Sequence, residues 1–208
     1  MSEWLKETGC KPVGLAYAGS NPAPPIDAVP ALRAGIFIGW GLFWIYWLGS
    51  ALTAKRGSRP GRSRAAAFLL AVVAVVLIRL LHAARVPVHS AGLQIFGVIF
   101  FLSGLGLAVW ARVHIGRNWG MPMTQQEEPE LVTSGPYGVV RHPIYSGILL
   151  ALLGTAFASY IFLLVVVGMA TAYFVYSARE EERFLTAAFP TAYPAYRAKT
   201  NMLIPFVL

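Results

Sequence analysis

Only one cysteine, Cys10, stands among 208 residues, which excludes an internal disulfide and any cysteine-rich zinc or iron-sulfur site. Charge is equally thin: 12% of the residues are charged, where a soluble globular domain carries about 25%. Acidic residues are the scarcest of all. None lies between Ala28 and Gln126, and the nine present form three patches: Glu3, Glu7 and Asp27; Glu127, Glu128 and Glu130; Glu180, Glu181 and Glu182. A chain without carboxylates over so long a run must lie in or against hydrocarbon there. What is abundant agrees, since 57% of the residues are hydrophobic and the mean hydropathy is +0.60. The formal net charge of +8 sits beside apolar runs rather than among exposed aromatics. That suits anionic lipid headgroups and argues against a nucleic-acid partner.

The apolar runs order the chain. Residues 1–30, with Asn21-Pro22-Ala23-Pro24-Pro25, lack the basic start and compact apolar core of a signal peptide, and are expected to be a flexible, retained N-terminal segment. A first span is expected over 31–54, since a spanning helix needs roughly 20 apolar residues. Its Trp40, Trp44, Tyr46 and Trp47 read as packing or interface anchors. Lys55, Arg56, Arg59, Arg62 and Arg64 form the densest basic run and make that loop cytoplasmic. Further spans are expected over 65–81, 92–111, 143–159 and 160–177, the last two as a tight hairpin. In the third, Gly97, Ser103, Gly104 and Gly106 read as small packing residues. The fold class expected is therefore an all-α integral membrane protein of about five transmembrane helices. The N-terminus is expected outside, and the C-terminus and active site in the cytoplasm, of a bacterial inner membrane.

Polar chemistry concentrates in Leu131-Val132-Thr133-Ser134-Gly135-Pro136-Tyr137-Gly138-Val139-Val140-Arg141-His142-Pro143-Ile144-Tyr145-Ser146-Gly147. Pro136 and Pro143 each fix their own φ and restrict the residue before them, so this is a rigid polar hook between apolar segments. An interhelix loop anchored at the headgroups is one reading of it. The other is a site. Beyond the last span, Arg179 to Phe189 reads as an amphipathic helix with Phe184, Leu185 and Phe189 on its apolar side and Pro190 at its end. At 3.6 residues per turn, three consecutive glutamates cannot share a face, so at least one can turn toward the hook. Hook and glutamates meet at the cytoplasmic mouth of the hairpin, where a water-soluble cofactor could react with a lipophilic substrate from the bilayer. Glu181 suits ribose hydroxyls or an amine, Arg141 or Arg179 a carboxylate, and Tyr137 and Tyr145 an adenine or a sulfonium. His114 and His142 have no partner at metal-ligand spacing, and Ser134 and Ser146 lack a nucleophile context.

These motifs, with Phe189-x-x-x-Tyr193-x-x-Tyr196 after the glutamates, closely resemble the isoprenylcysteine carboxyl methyltransferase family, whose broader relatives are the phospholipid methyltransferases. The likeness runs from about Arg112 to the C-terminus, so residues 31–111 form a membrane region and 112–208 a catalytic one. The resemblance implies a membrane enzyme that binds S-adenosylmethionine under a cytoplasmic C-terminal helical segment covering the cofactor pocket. Carried over by position, the cofactor contacts are Leu131, Val132, Tyr137, His142, Pro143, Ile144, Tyr145 and Glu181. Where the family places an arginine near the substrate carboxylate, this chain has Ser177, with Arg179 two residues later. Arg179, Glu180 and Arg141 are the expected catalytic groups, and Asn118 and Trp119 the expected substrate side. The expected acceptor is a lipophilic or prenylated molecule, first an isoprenylcysteine-like carboxylate. A phospholipid amine, an NADPH-dependent reductase of the sterol-reductase type and a non-enzymatic scaffold are the alternatives.

Overall fold

The structure, a computed structural model, describes residues 28–52, 57–58, 87–119, 125–126 and 129–204. The N-terminal segment up to residue 27, most of the basic loop and the span expected over 65–81 lie outside the described residues. The described helices are α1 (Ala28–Ala51), α2 (Ala91–Ile115), α3 (Pro143–Ala158), α4 (Leu164–Ala188) and α5 (Ala192–Arg197). Short 3-10 turns cover Gly116–Asn118, Gly135–Gly138 and Ile161–Leu163. Two-residue strands β1 (Gly57–Ser58) and β2 (Gln125–Gln126) pair antiparallel, Gly57 opposite Gln126.

Among the described residues, three segments are long and apolar enough to cross a membrane: Pro30–Ala51, Ala91–Asn118 and Ile161–Ala188. Helix α3 has 16 residues and so measures about 24 Å, short of a hydrocarbon core of about 30 Å. Large apolar side chains on α1 and α2, among them Phe37, Leu42, Ile45, Phe96 and Leu102, are more than half exposed, as lipid-facing positions are. The protein is an all-α integral membrane protein.

The tightest packing is between α2 and α3, which run antiparallel. A Cβ on Gly97 would lie 2.5 Å from the backbone nitrogen of Ala158, and one on Gly147 would lie 2.6 Å from that of Ala108. Gly104 and Gly154 meet opposing backbone in the same way. Without side chains at these positions the two backbones touch, and in lipid such close van der Waals contact is what drives helices together. Ser90 caps α2 by accepting from the Leu93 amide, and Gly116 closes it at φ 57. Trp40 Nε1 donates to Thr155 Oγ1 at 3.0 Å, tying α1 to α3.

The expected hairpin is present, with a turn through Ser159 and Tyr160. The fifth span does not stop near Ser177, however. Helix α4 continues unbroken to Ala188, because no proline or glycine interrupts the sequence between Gly168 and Pro190. The amphipathic segment is the polar end of a membrane helix, and the glutamates are thereby set in fixed rotational phase with the apolar core.

Candidate functional site

The hook folds as its prolines and glycines dictate. Gly135 adopts φ 58, and a side chain there would strike the His114 ring at 2.6 Å. His114 Nε2 lies 2.9 Å from Ser134 Oγ, so the end of α2 clasps the hook. Pro143 occupies the first turn of α3, where its missing amide hydrogen costs nothing. On its other side the hook is zipped to the C-terminal stretch of chain. The Arg141 amide donates to Asn201 O at 2.8 Å, the His142 amide to Met202 O at 3.0 Å, and Ser146 Oγ to Leu203 O at 2.5 Å. Tyr196 adds a hydrogen bond from its hydroxyl to Tyr137 O at 2.5 Å.

A cavity of about 450 Å³ opens between the hook, the ends of α1 and α2, and α4. Small-molecule sites are clefts of roughly this size or somewhat larger. Of the residues expected to bind cofactor, Leu131, Val132, Tyr137, His142, Ile144, Tyr145 and Glu181 line it. Asn118, Trp119 and Arg141 line it too. Pro143 is fully buried behind the lining.

Arg179 and Glu180 do not join them. Arg179 is exposed, and Glu180 pairs with Arg183 at 2.5 Å on the outer side of α4. The cause is helix phase: the buried face is Ser177, Ala178 and Glu182, and each residue turns the helix about 100°. Arg179 and Glu180, expected as catalytic groups, are therefore not among the residues that line the cavity.

The inward glutamates do different work. Glu181 Oε1 accepts from the Tyr145 hydroxyl at 2.5 Å, while its Oε2 lies 3.5 Å from His142 Nδ1. Glu182 is buried and accepts from Arg141 Nε at 2.7 Å, with His142 Nε2 at 3.4 Å and Arg197 Nε at 3.6 Å. Arg141 Nη1 also donates to Thr200 O. The rings of His142, Tyr145 and Phe174 stack into a slab, with centroid separations of 5.5 and 4.6 Å and interplanar angles of 5° and 14°.

Electrostatics follow from this packing. Burial alone would lower the His142 pKa, but contacts with Glu181 and Glu182 and their charges outweigh it, and the imidazole is held above its ordinary value. Burial pushes the Tyr137 and Tyr193 hydroxyls well up and Tyr196 to about 12, so all three phenols stay protonated. Two polar atoms in the lining lack a hydrogen-bond partner among the described residues: His142 Nε2, whose approach to Glu182 has the distance but not the geometry, and the Tyr193 hydroxyl. Neither atom has accessible surface, so neither faces the cavity directly.

Sequence reasoning does not single out Phe174, Tyr173 or the separate role of Glu182. Phe174 and Tyr173 lie inside an apolar run, where aromatics read as packing. The signal for Glu182 is its spacing of four from Ala178 on the buried face. Trp47, expected to pack, does pack and also lines the cavity.

Residues 93–192 match the family model for phospholipid methyltransferases. Among curated proteins the chain is similar to the cobalt-zinc-cadmium resistance protein CzcN of Cupriavidus metallidurans, 35% identical over 105 residues that make up 49% of this chain and 48% of that protein. Among solved structures it is similar to the eukaryotic intramembrane Ras methyltransferase ICMT, isoprenylcysteine carboxyl methyltransferase, at TM-score 0.50 and 23% identity over 67% of this chain and 52% of that one. The chain thus spans about half the length of each.

Proposed function

From a membrane protein with the ICMT fold and the phospholipid methyltransferase pattern over residues 93–192, we propose an S-adenosylmethionine-dependent methyltransferase acting on a lipophilic acceptor from the bilayer. The observation that carries the reading is the aromatic slab of His142, Tyr145 and Phe174 beside Glu181, inside a cavity that apolar side chains of α1, α3 and α4 also line. S-adenosylmethionine, when bound, supplies an electrophilic methyl group on a sulfonium.

The residues fit such a group. Aromatic faces attract a sulfonium through cation-π contact and stack an adenine. The Glu181 carboxylate, held by Tyr145, suits ribose hydroxyls or an ammonium. The Arg141–Glu182 pair fixes the hook from behind. Methyl transfer of this kind draws most of its acceleration from alignment and exclusion of water, which is what a rigid hook zipped to the C-terminal chain provides.

An isoprenylcysteine-like carboxylate is the first acceptor to test and needs no base. It would meet Arg141, whose guanidinium is engaged by Glu182 and Thr200 O. A phospholipid amine is the second acceptor, and His142 and Glu181 are then the titratable groups in reach. The active site faces the cytoplasm by the basic loop and C-terminal arginines.

Calorimetry of S-adenosylmethionine and S-adenosylhomocysteine binding to the detergent-purified protein, with NADPH as competitor, tests the reading. Micromolar binding that is lost in Glu181→Ala supports it. Binding of NADPH instead points to a reductase, and binding of nothing points to a scaffold; either result overturns it.

A further inference from the structure

The cavity has two sides built from different parts of the chain. The hook, α3 and α4 carry the groups proposed to hold the cofactor. The other side is made by the ends of α1 and α2, through Trp44, Trp47, Leu48, Ile115 and Trp119. Apart from Asn118, which donates to Glu130 Oε2 at 2.7 Å, it is apolar, so it is the side against which a lipophilic acceptor lies.

One buried residue ties that wall together. Arg112, 3% exposed, donates from Nη2 to Ser50 O at 2.5 Å and from Nη1 to Gly116 O at 2.7 Å. Its guanidinium lies over the Trp119 ring, 4.6 Å from the centroid. Gly116 O also accepts from the Trp119 amide at 3.3 Å. Ser50 belongs to the last turn of α1, and Gly116 closes α2. The cation therefore sits where the negative ends of two helix dipoles converge, beside the Ser50 carbonyl and a Gly116 carbonyl that it shares with the Trp119 amide. Trp119 passes the constraint on, meeting Trp47 edge-on at 5.3 Å and 85°, and Trp47 stacks on Phe43 at 5.1 Å.

We infer that Arg112 is a positioning residue for the acceptor wall: it fixes Trp119 and the end of α1 that carries Trp47. The inference rests on the methyltransferase reading for the word acceptor. Lysine replaces it only in part, because one ammonium does not span two carbonyls and an indole face at once.

The test compares the full chain in detergent micelles with Arg112→Gln and Arg112→Lys. Hydrogen exchange is read by mass spectrometry over 47–52 and 113–119, and over 131–146 on the hook side. Calorimetry with S-adenosylhomocysteine and methylation of N-acetyl-S-farnesylcysteine or phosphatidylethanolamine vesicles complete it. In Arg112→Gln, exchange rises about tenfold in the first two segments and stays unchanged in the third, as expected when local hydrogen bonds are lost without global unfolding. The S-adenosylhomocysteine affinity stays within about twofold, while KM for whichever acceptor is methylated rises about tenfold with kcat little changed. Arg112→Lys falls between. Unaltered exchange at 47–52 and 113–119, an equal rise at 131–146, or parallel loss of cofactor and acceptor binding overturns the inference. Absence of S-adenosylhomocysteine binding in the unaltered protein removes the methyltransferase reading instead, and with no acceptor turned over the exchange pattern alone decides whether Arg112 holds the wall.

Discussion

The Tyr145 hydroxyl donates to Glu181 Oε1 at 2.5 Å, joining α3 to α4 across 36 positions of sequence. The same tyrosine ring lies flat between His142 and Phe174. Its hydroxyl and its ring thus have separable duties, one aiming a carboxylate and the other forming an aromatic wall.

Tyr145→Phe removes the first duty and keeps the second. The lost charge-assisted hydrogen bond corresponds to about 1.5 kcal/mol, or about tenfold in S-adenosylhomocysteine affinity. Glu181→Gln, which also removes the charge, is expected to weaken binding further, and Tyr145→Ala further still. Calorimetry on the three variants checks the order. Wild-type affinity in Tyr145→Phe would show that the hydroxyl does not aim Glu181.

The Arg141–Glu182 pair is a stability element. Both side chains are almost wholly buried, at 8% and 5% exposure. Breaking such a pair from one side leaves an uncompensated buried charge and costs about 3–5 kcal/mol. Arg141→Gln and Glu182→Gln should each lower the thermal midpoint in detergent markedly, and the double variant should recover a substantial part. Additive losses in the double variant would mean that the two residues do not act as a pair.

His142 gives a pH dependence with a definite sign. Its pKa is raised in the folded protein above the ordinary 6.5, so the folded state binds the proton more tightly than the unfolded chain. The stabilisation is complete below that ordinary value and is lost as pH rises through the folded value. The thermal midpoint should therefore fall from neutral toward alkaline pH, and His142→Gln should flatten that part of the profile. A midpoint that rises over the same window contradicts the assignment.

How much of this was legible in the sequence differs from element to element. The hook was legible because proline and glycine act locally: Gly135 and Pro143 impose their geometry whatever surrounds them. The hairpin turn at Ser159-Tyr160 was legible as a break in hydrophobicity. Helix phase was not, because it depends on where the apolar face of α4 is anchored far upstream, and an expectation that ends the span near Ser177 has no phase to carry forward. Arg179 and Glu180 accordingly turn outward while Glu181 and Glu182 turn in. Arg112 was hidden for a related reason, since its partner Ser50 is 62 positions away.

The glycines of α2 show the same dependence on phase and permit a matched test. The sequence groups Gly97, Gly104 and Gly106 as packing residues, yet only the first two, seven apart, face α3. Among the described residues, a Cβ on Gly106 would have nothing within 4 Å, whereas one on Gly104 would meet the backbone of Ala151 and Gly147. Gly106→Ala should be neutral or stabilising by up to about 1 kcal/mol, because alanine is the better helix former. Gly104→Leu must push α2 and α3 apart, and a backbone obstruction cannot be relieved by a rotamer change; overpacking of this kind costs about 1–3 kcal/mol or more. Size-exclusion profiles and thermal midpoints of the two variants decide the matter. Because His114 lies in the last turn of α2 and α3 begins beside His142, a separation of these helices also displaces the clasp on the hook, so Gly104→Leu should lose S-adenosylhomocysteine binding even in whatever fraction remains folded. A folded Gly104→Leu protein with intact binding would mean that the glycine contact does not set the geometry of the site.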